Sequence, residues 1–327
     1  MIQSKPFAVF DAESSARSLS ELSLRLLEEQ KGSWPELAEG YASLDLVRVR
    51  EIRCAGFTVS LQFNPGRITS TAAAVDARSV QERPCFLCEQ NLPPPQKGVL
   101  YRGGFLILCN PAPIFRQHFT ISSVRHVRQA LEPFLNSFLD LARDLSPKFT
   151  VFYNGPRCGA SAPDHMHFQA SPLGMIPVER TALVEWRRVF RRKVNGPSLW
   201  TLKEYGRSVL IIESADKEDL VASLRLLLGQ LRKVTEEADE PMMNILCSFG
   251  DSGWRIIFFP RRKHRPDVYF REGDERVLVS PAAVDLGGLI ITPVERDFER
   301  VGAAMVEDIS QEVSLPTEHL DAVIDAL

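Results

Sequence analysis

The chain has 327 residues, enough for about two domains with sizeable hydrophobic cores. Charged residues make up 25% of it and the formal net charge is −3, so the composition gives no sign of a nucleic-acid or membrane-surface partner. Six scattered cysteines suggest no disulfide framework, apolar runs stay shorter than the roughly 18 residues of a membrane span, and Met1–Lys5 lacks signal-peptide character, which together predict a cytoplasmic protein.

Residues 1–44 are predicted to form a helical extension. Leucines recur there at spacings that place them on one side of a helix, which predicts packing against the outside of the domain that follows. These leucines are Leu19, Leu22, Leu24, Leu26 and Leu27.

Residues 45–180 carry the signals of a β-rich domain with one long helix. Apolar positions at helical spacing predict that helix over 127–145, and Pro172 to Pro177 ends the domain. Short apolar and β-branched runs predict strands at 46–52, 57–63, 105–109 and 119–123, with a further run over 148–153.

Cys85 and Cys88 are spaced like the ligands of a metal knuckle. Two thiolates need two further ligands to complete a tetrahedral zinc site. Two buried thiols in an apolar segment are the alternative that the spacing leaves open. The other four cysteines lack partner spacing and are predicted to be core or loop thiols; they are Cys54, Cys109, Cys158 and Cys247.

A loop of small residues, glycine and proline runs from Asn154 to Asp164. Small residues let backbone N–H groups approach an anion closely, as in phosphate-binding nests. Taken alone, such a loop is also consistent with a plain hairpin connection.

The loop leads into His165-Met166-His167-Phe168-Gln169, which alternates like a strand. Alternation would put His165, His167 and Gln169 on one face, spaced roughly 6.6 Å apart, with the apolar pair on the other face. Two imidazoles and an amide pack poorly in a core, whereas histidine serves well as a nucleophile or metal ligand. The alternative is a half-buried strand with incidental histidines.

Residues 181–327 repeat the strand-and-helix pattern more weakly and contain no His-x-His motif. This half is therefore predicted to support a substrate rather than to perform chemistry. Its predicted helices cover 220–234 and 296–309, and its predicted strands cover 209–213, 243–249, 254–259 and 286–291.

The block from Tyr153 to Gln169 resembles the active-site segment of the histidine-triad superfamily. It is most similar to the branch that contains diadenosine tetraphosphate phosphorylases (ATP adenylyltransferases), galactose-1-phosphate uridylyltransferases and GDP-hexose phosphorylases. The segment from Gln117 to His126, and an arginine loop at Arg67 followed by the Cys-x-x-Cys, extend the resemblance upstream.

The resemblance implies an α+β fold of two histidine-triad-like domains, with antiparallel sheets flanked by helices. Residues 45–180 would be the catalytic domain, and 181–327 a degenerate second domain that shares its sheet. It also implies a structural zinc ion held by Cys85, Cys88, His126 and His165.

Within this resemblance, the predicted catalytic residues are His165, His167 and Gln169. A neutral His167 imidazole could attack the α-phosphorus of a nucleotide and form a nucleotidyl-histidine intermediate, provided that an acceptor holds its other ring nitrogen. Gln169 can donate a hydrogen bond but cannot serve as a proton donor, which favours good leaving groups. The substrate-binding residues are predicted to be Arg67, Asn110, Asn154, Gly159, Ser161 and Lys263.

These features predict a nucleotidyltransferase or phosphorylase acting on a nucleotide or nucleotide sugar. A hydrolase of nucleotide sugars or dinucleoside polyphosphates, and a non-catalytic nucleotide-binding protein, are the alternatives. Met166 stands where uridylyltransferases have proline, while the loop is more like that of the dinucleotide phosphorylases. The base and the acceptor therefore stay open, and a homodimer is plausible for a chain of this size.

Overall fold

The computed structural model describes residues 6–13, 15–72 and 77–327. Residues 1–5 and 14 of the predicted N-terminal extension therefore lie outside the described residues. The strands are β1 (Ala8–Phe10), β2 (Arg48–Arg53), β3 (Thr58–Phe63), β4 (Gly98–Tyr101), β5 (Phe105–Cys109), β6 (Phe119–Ser123), β7 (Phe149–Asn154), β8 (His167–Pro172), β9 (Arg188–Lys193), β10 (Ser198–Leu202), β11 (Leu210–Ser214), β12 (Met243–Gly250), β13 (Gly253–Pro260) and β14 (Leu289–Thr292).

The helices lie mostly between and outside these strands. None of them, within the described residues, combines the length and apolar character that a membrane span requires. They are α1 (Leu19–Ser33), α2 (Pro35–Ala42), α3 (Ile68–Thr71), α4 (Ala77–Glu82), α5 (Leu135–Asp144), α6 (Pro177–Thr181), α7 (Lys217–Thr235), α8 (Ala283–Leu286), α9 (Glu295–Arg300), α10 (Ala303–Val313) and α11 (Thr317–Asp325).

One large sheet runs through both halves of the chain, in the order β1-β4-β5-β6-β8-β7-β12-β13-β11-β10-β9. Strands β7 and β12 join the halves, with antiparallel registers from Asn154 opposite Asn244 to Val151 opposite Cys247. Pairing within this sheet is antiparallel except between β1 and β4. The α+β fold class with antiparallel sheets flanked by helices is therefore confirmed.

A second, smaller sheet of order β14-β3-β2 also combines strands from both halves of the chain. Strand β3 pairs antiparallel with β2 and parallel with β14, which comes more than 200 residues later in the chain. Apolar residues of both segments, including Leu61 and Ile290, pack into one buried cluster. The limits of the predicted domains stay a prediction.

The two faces of β8 have opposite character. Phe168 and Ala170, and Met166 just before the strand, are fully buried in the main core, where the Phe168 ring stacks on that of Phe138 in α5 at a centroid distance of 5.0 Å. His167 and Gln169 point to the other face, as the alternation predicts.

His165 departs from that alternation because β8 begins only at His167. Met166, which precedes β8, donates its N–H to Val127 O (2.7 Å), and its own carbonyl accepts from the N–H of Ser123 at the end of β6 (2.9 Å). The bond to Val127 explains why the helix predicted over 127–145 is shorter: residues 127–131 run beside the start of β8, and α5 begins at Leu135. The helix predicted over 296–309 is likewise interrupted, between α9 and α10.

Candidate active site and metal cluster

His167 lies at the start of β8 with only 5% of its surface exposed. Its Nδ1 is 2.8 Å from the backbone oxygen of His165, so that nitrogen carries the proton and donates it. The Nε2 atom consequently keeps its lone pair. Burial lowers the pKa of His167 to about 4, which keeps the ring neutral at physiological pH. The geometry is that of an imidazole held ready to act as a nucleophile.

Gln169 is oriented by His118, a residue that the sequence analysis assigned no role. The N–H of Ile114 donates to His118 Nδ1 (3.2 Å), so the proton of this ring is on Nε2, which donates to Gln169 Oε1 (2.9 Å). Burial and then the charge of Arg67 lower the pKa of His118 to about 3. With Oε1 engaged, the amide nitrogen of Gln169 is the end left to donate to a substrate.

Gln129 clamps the strand ends that carry the site. Its Oε1 accepts from the N–H of His167 (2.8 Å), and its Nε2 donates to the carbonyl oxygens of His167 (3.0 Å) and Asn154 (2.9 Å). This buried amide thus bridges β7 and β8 where their own ladder ends. No local sequence pattern predicts this bridging role of Gln129, because it depends on two strand ends that lie 25 and 38 residues further along the chain.

Replacing Gln129 with alanine should destabilise the protein by about 2–4 kcal/mol, since three hydrogen bonds are lost and buried backbone groups lose their partner. Nucleotide exchange should fall at least tenfold as His167 loses its fixed position. Denaturant unfolding and an exchange assay would measure both effects. Gln81→Ala, an exposed change in α4, is the matched control. A Gln129→Ala protein within about 0.5 kcal/mol of wild type would contradict the clamp.

The loop between β7 and β8 packs against the second half of the chain. Asn154 Oδ1 accepts from Asn244 Nδ2 (2.8 Å) and from the N–H of Ala283 (2.9 Å). Gly159 has a φ of 90°, and a Cβ there would lie 2.6 Å from the Cβ of Ala282, so glycine is needed at this position. The carbonyl of Ser161 accepts from Arg83 Nη2 (3.0 Å).

Arg67 and Asn110 meet beside His118. Arg67 Nη1 donates to Ala112 O (2.6 Å), and Asn110 Oδ1 accepts from the N–H of Ala112 (3.0 Å). Burial lowers the pKa of Arg67 to about 10, opposed by the nearby carboxylate of Asp285. Both predicted substrate contacts therefore lie on the side of the sheet that carries Gln169.

The ammonium group of Lys263 is already paired with carboxylates rather than free to bind a phosphate. Its ammonium group forms ion pairs with Asp267 and Glu312, so two carboxylates already compensate its charge. Its predicted substrate role stays a prediction.

Four predicted metal ligands come together in one cluster. The ligand atoms of Cys85, Cys88, His126 and His165 all lie within 4.8 Å of one another. Cys85 Sγ is 3.2 Å from His165 Nδ1, and Cys88 Sγ is 3.1 Å from His126 Nδ1 and 3.6 Å from His165 Nδ1. A tetrahedral zinc ion would separate sulfur and nitrogen ligands by roughly 3.5 Å, so the cluster has the size to hold a metal ion.

The residues around the cluster turn the histidine lone pairs inward. His165 Nε2 donates to Ser123 O (2.8 Å), which leaves Nδ1 unprotonated and facing the thiols. His126 Nε2 lies 3.7 Å from Asp164 Oδ2, and Arg83 contacts the other oxygen of that carboxylate at 3.4 Å. Burial and then Cys85 raise the pKa of Cys88 to about 11, because two adjacent thiolates repel each other, and a divalent cation would relieve that repulsion.

A cavity of about 610 Å³ lies beside the start of the candidate catalytic strand, lined in part by Gln129, Pro156, Arg232 and Glu240. Glu240 accepts hydrogen bonds from Tyr153 Oη and from the N–H of Leu131, each at 2.5 Å. Burial nevertheless raises the pKa of its carboxyl from 4.5 to about 7.

Glu240 should therefore make the protein less stable as the pH rises. Between pH 4.5 and about 7, the folded carboxyl retains a proton that the unfolded chain releases, so the free energy of unfolding falls by about 1–3 kcal/mol. Glu240→Gln should remove this dependence and gain stability relative to wild type between pH 5 and pH 8. Denaturant unfolding at both pH values measures the difference, and Glu36→Gln, at an exposed position, is the control. An unchanged pH dependence in Glu240→Gln would exclude the raised pKa.

Two family models match this chain, one in each half. Residues 26–172 match a domain of unknown function (DUF4922), and residues 178–327 match the GDPGP1-like C-terminal domain. No curated protein matches the chain by sequence.

The solved structures of yeast Ap4A phosphorylase Apa2 have a similar fold. The complex with Ap4A is 13% identical at a TM-score of 0.56, covering 89% of this chain and 98% of that chain. The complex with AMP is 14% identical at the same TM-score, covering 89% and 97%. At such identities the likeness establishes the fold.

Proposed function

We propose that this chain, which falls in the histidine-triad-like branch by its fold and its GDPGP1-like C-terminal domain, transfers a nucleoside monophosphate between phosphate, sugar phosphate or nucleotide acceptors. The observation that carries the proposal is the His167 imidazole, buried and neutral, with Nδ1 donating to a backbone carbonyl at 2.8 Å. That arrangement directs the lone pair of Nε2 toward an electrophile.

In the first step, the Nε2 lone pair of His167 forms a bond to the α-phosphorus of the donor. The bond between phosphorus and the leaving-group oxygen breaks, and the oxygen keeps the electron pair. In the second step, an acceptor oxygen attacks the same phosphorus, and the N–P bond breaks to restore the neutral imidazole. The two steps use one residue and are reversible.

Gln169 favours acceptors and leaving groups that need no proton. Its oxygen is engaged by His118, so its amide N–H groups are available to stabilise phosphoryl oxygens. An amide cannot protonate a departing oxygen. Phosphate, sugar phosphates and nucleotides leave readily as anions, which supports transfer or phosphorolysis over hydrolysis.

Further donors would bind the phosphates and the nucleoside. Asn154, Ser161 and the N–H groups around Gly159 would contact phosphoryl oxygens, and Arg67 would contribute positive charge. Asn110 would contact the nucleoside, and Lys263 would approach from the second half of the chain.

The metal cluster would hold a structural zinc ion. Two thiolates and two imidazole Nδ1 atoms form a donor set that zinc prefers, and all four ligands are provided by the protein. When bound, the ion would tie the Cys85–Cys88 segment to His126 and to His165, two residues before β8. His167 would then remain free for the phosphate chemistry.

The proposal is tested by incubating purified protein with Ap4A, GDP-mannose and UDP-glucose, each alone, with inorganic phosphate and with a hexose 1-phosphate. The expected result is turnover only with an acceptor, giving a nucleoside diphosphate with phosphate or a new nucleotide sugar with the hexose phosphate. Release of nucleoside monophosphate without phosphate would indicate a hydrolase, and nucleotide binding without turnover would indicate a binding protein. Either result would contradict the proposed transfer.

A further inference from the structure

We infer that Arg261, in the second half of the chain, is a positioning residue that orients the Asn154 amide toward a phosphate group. The inference rests on the proposed function and names how the second half takes part in it. Three buried side chains, Arg261, Asn244 and Asn154, are linked end to end by hydrogen bonds.

Arg261 fixes one end of this series. Only 1% of its surface is exposed, and its guanidinium donates to Asn244 Oδ1 (2.6 Å). Its remaining N–H groups donate to backbone oxygens at 2.9–3.1 Å, those of Val313, Pro281, Lys263 and His264. Since all five N–H donors are used, Arg261 itself does not contact substrate. A guanidinium cannot accept, so the atom of Asn244 that faces it must be the oxygen.

The orientation of Asn244 follows directly. With Oδ1 on Arg261, its Nδ2 donates to Asn154 Oδ1 (2.8 Å) and to the carbonyl of Cys158 (2.7 Å). One amide therefore holds both the end of β7 and the loop that follows it.

Asn154 is oriented from a second direction as well. The N–H of Ala283 donates to the same Oδ1 at 2.9 Å, and a backbone N–H can only donate. Within the described residues, Asn154 Nδ2 donates to no protein atom. The backbone of Asn154 is bridged to that of His167 by Gln129, and the register that pairs Phe152 with Gln169 continues to Asn154 opposite His167, so this amide is on the face that carries the candidate nucleophile. Two unopposed N–H donors there suit an anionic phosphoryl oxygen.

Asn244→Asp tests the orientation with almost no change of shape. The new carboxylate would accept from Arg261 and form a buried ion pair, so the variant should fold. It could no longer donate to Asn154 Oδ1, which only the N–H of Ala283 would then hold, and the carboxylate would draw Asn154 Nδ2 away from the ligand. We expect binding of AMP, GMP or UMP to weaken about 10- to 100-fold, with binding of the matching nucleoside unchanged. Isothermal titration calorimetry measures both affinities.

Two further variants make the test specific. Asn195→Asp introduces the same charge at an exposed position and should leave both affinities at wild-type values. Asn244→Ser adds no charge, but its shorter side chain carries one hydroxyl and cannot bridge Arg261, Asn154 and Cys158, so nucleotide affinity should fall by about tenfold with nucleoside affinity unchanged.

Equal nucleotide affinities in wild type and Asn244→Asp would overturn the inference, as would a parallel loss of nucleoside binding. If Asn244→Asp does not fold, wild-type nucleotide affinity in Asn244→Ser overturns the inference, and a loss of about tenfold with unchanged nucleoside affinity supports it. Wild-type protein that binds none of the three nucleotides would contradict the proposed function itself, and the inference with it.

Discussion

Replacing His167 with alanine should lower nucleotide exchange by about 10⁴-fold or more, because the proposed mechanism forms the bond to phosphorus through its Nε2 atom. Wild-type protein incubated with a labelled donor should retain the label on His167 through an acid-labile N–P bond, and the variant should retain none. Peptide mass spectrometry locates the label. The fold should persist, since the lost ring is neutral and its side-chain hydrogen bond is to a backbone carbonyl.

His319→Ala is the control for this experiment, because His319 is exposed in α11. It should exchange nucleotides at the wild-type rate. A His167→Ala protein that exchanges at the wild-type rate would sink the assignment of the nucleophile.

Cys85→Ser should abolish binding of the proposed zinc ion and lower the melting temperature by about 10 °C or more, an effect on the order of several kcal/mol. Serine is a poor zinc ligand, so the substitution would remove the Cys85 thiolate and leave three ligands around a buried site. Wild-type protein should carry about one zinc ion per chain, measured by plasma mass spectrometry. Chelation should reduce stability in the same way.

Cys54→Ser provides the matched comparison, because Cys54 is half-buried and its sulfur makes only a weak contact with Ala303 O at 3.9 Å. Its stability should change by less than about 1 kcal/mol, with full metal content. His167→Ala should also retain the metal, which separates loss of chemistry from loss of the ion. Freshly purified protein without metal, together with wild-type stability of Cys85→Ser, would exclude the zinc assignment.

Local sequence patterns predicted much of this structure. Strands β5 and β6 begin and end where the apolar runs do, and the β12–β13 hairpin spans its glycine-containing turn. The cluster of four candidate metal ligands could also be predicted, although these residues are up to 80 positions apart in the sequence. That prediction rested on family motifs rather than on periodicity.

Residue roles that depend on partners distant in the chain could not be predicted from the sequence. Gln129 lies in a stretch with helical spacing, yet its amide bonds to two strand ends hold that stretch out of a helix. His118 and Arg261 gain their functions from groups that only the folded chain brings to them. The pairing of β3 with β14 was invisible for the same reason.

The pairing of β7 with β12, which joins the two halves of the sheet, has a consequence for synthesis on the ribosome. Every residue of β7 is buried in the finished protein, but the strand emerges about 90 residues before its neighbour Met243–Gly250. Until then the nascent chain presents an apolar edge that another molecule could pair with. The first half should therefore aggregate when it is produced alone and should be rescued when the second half is supplied on a separate chain.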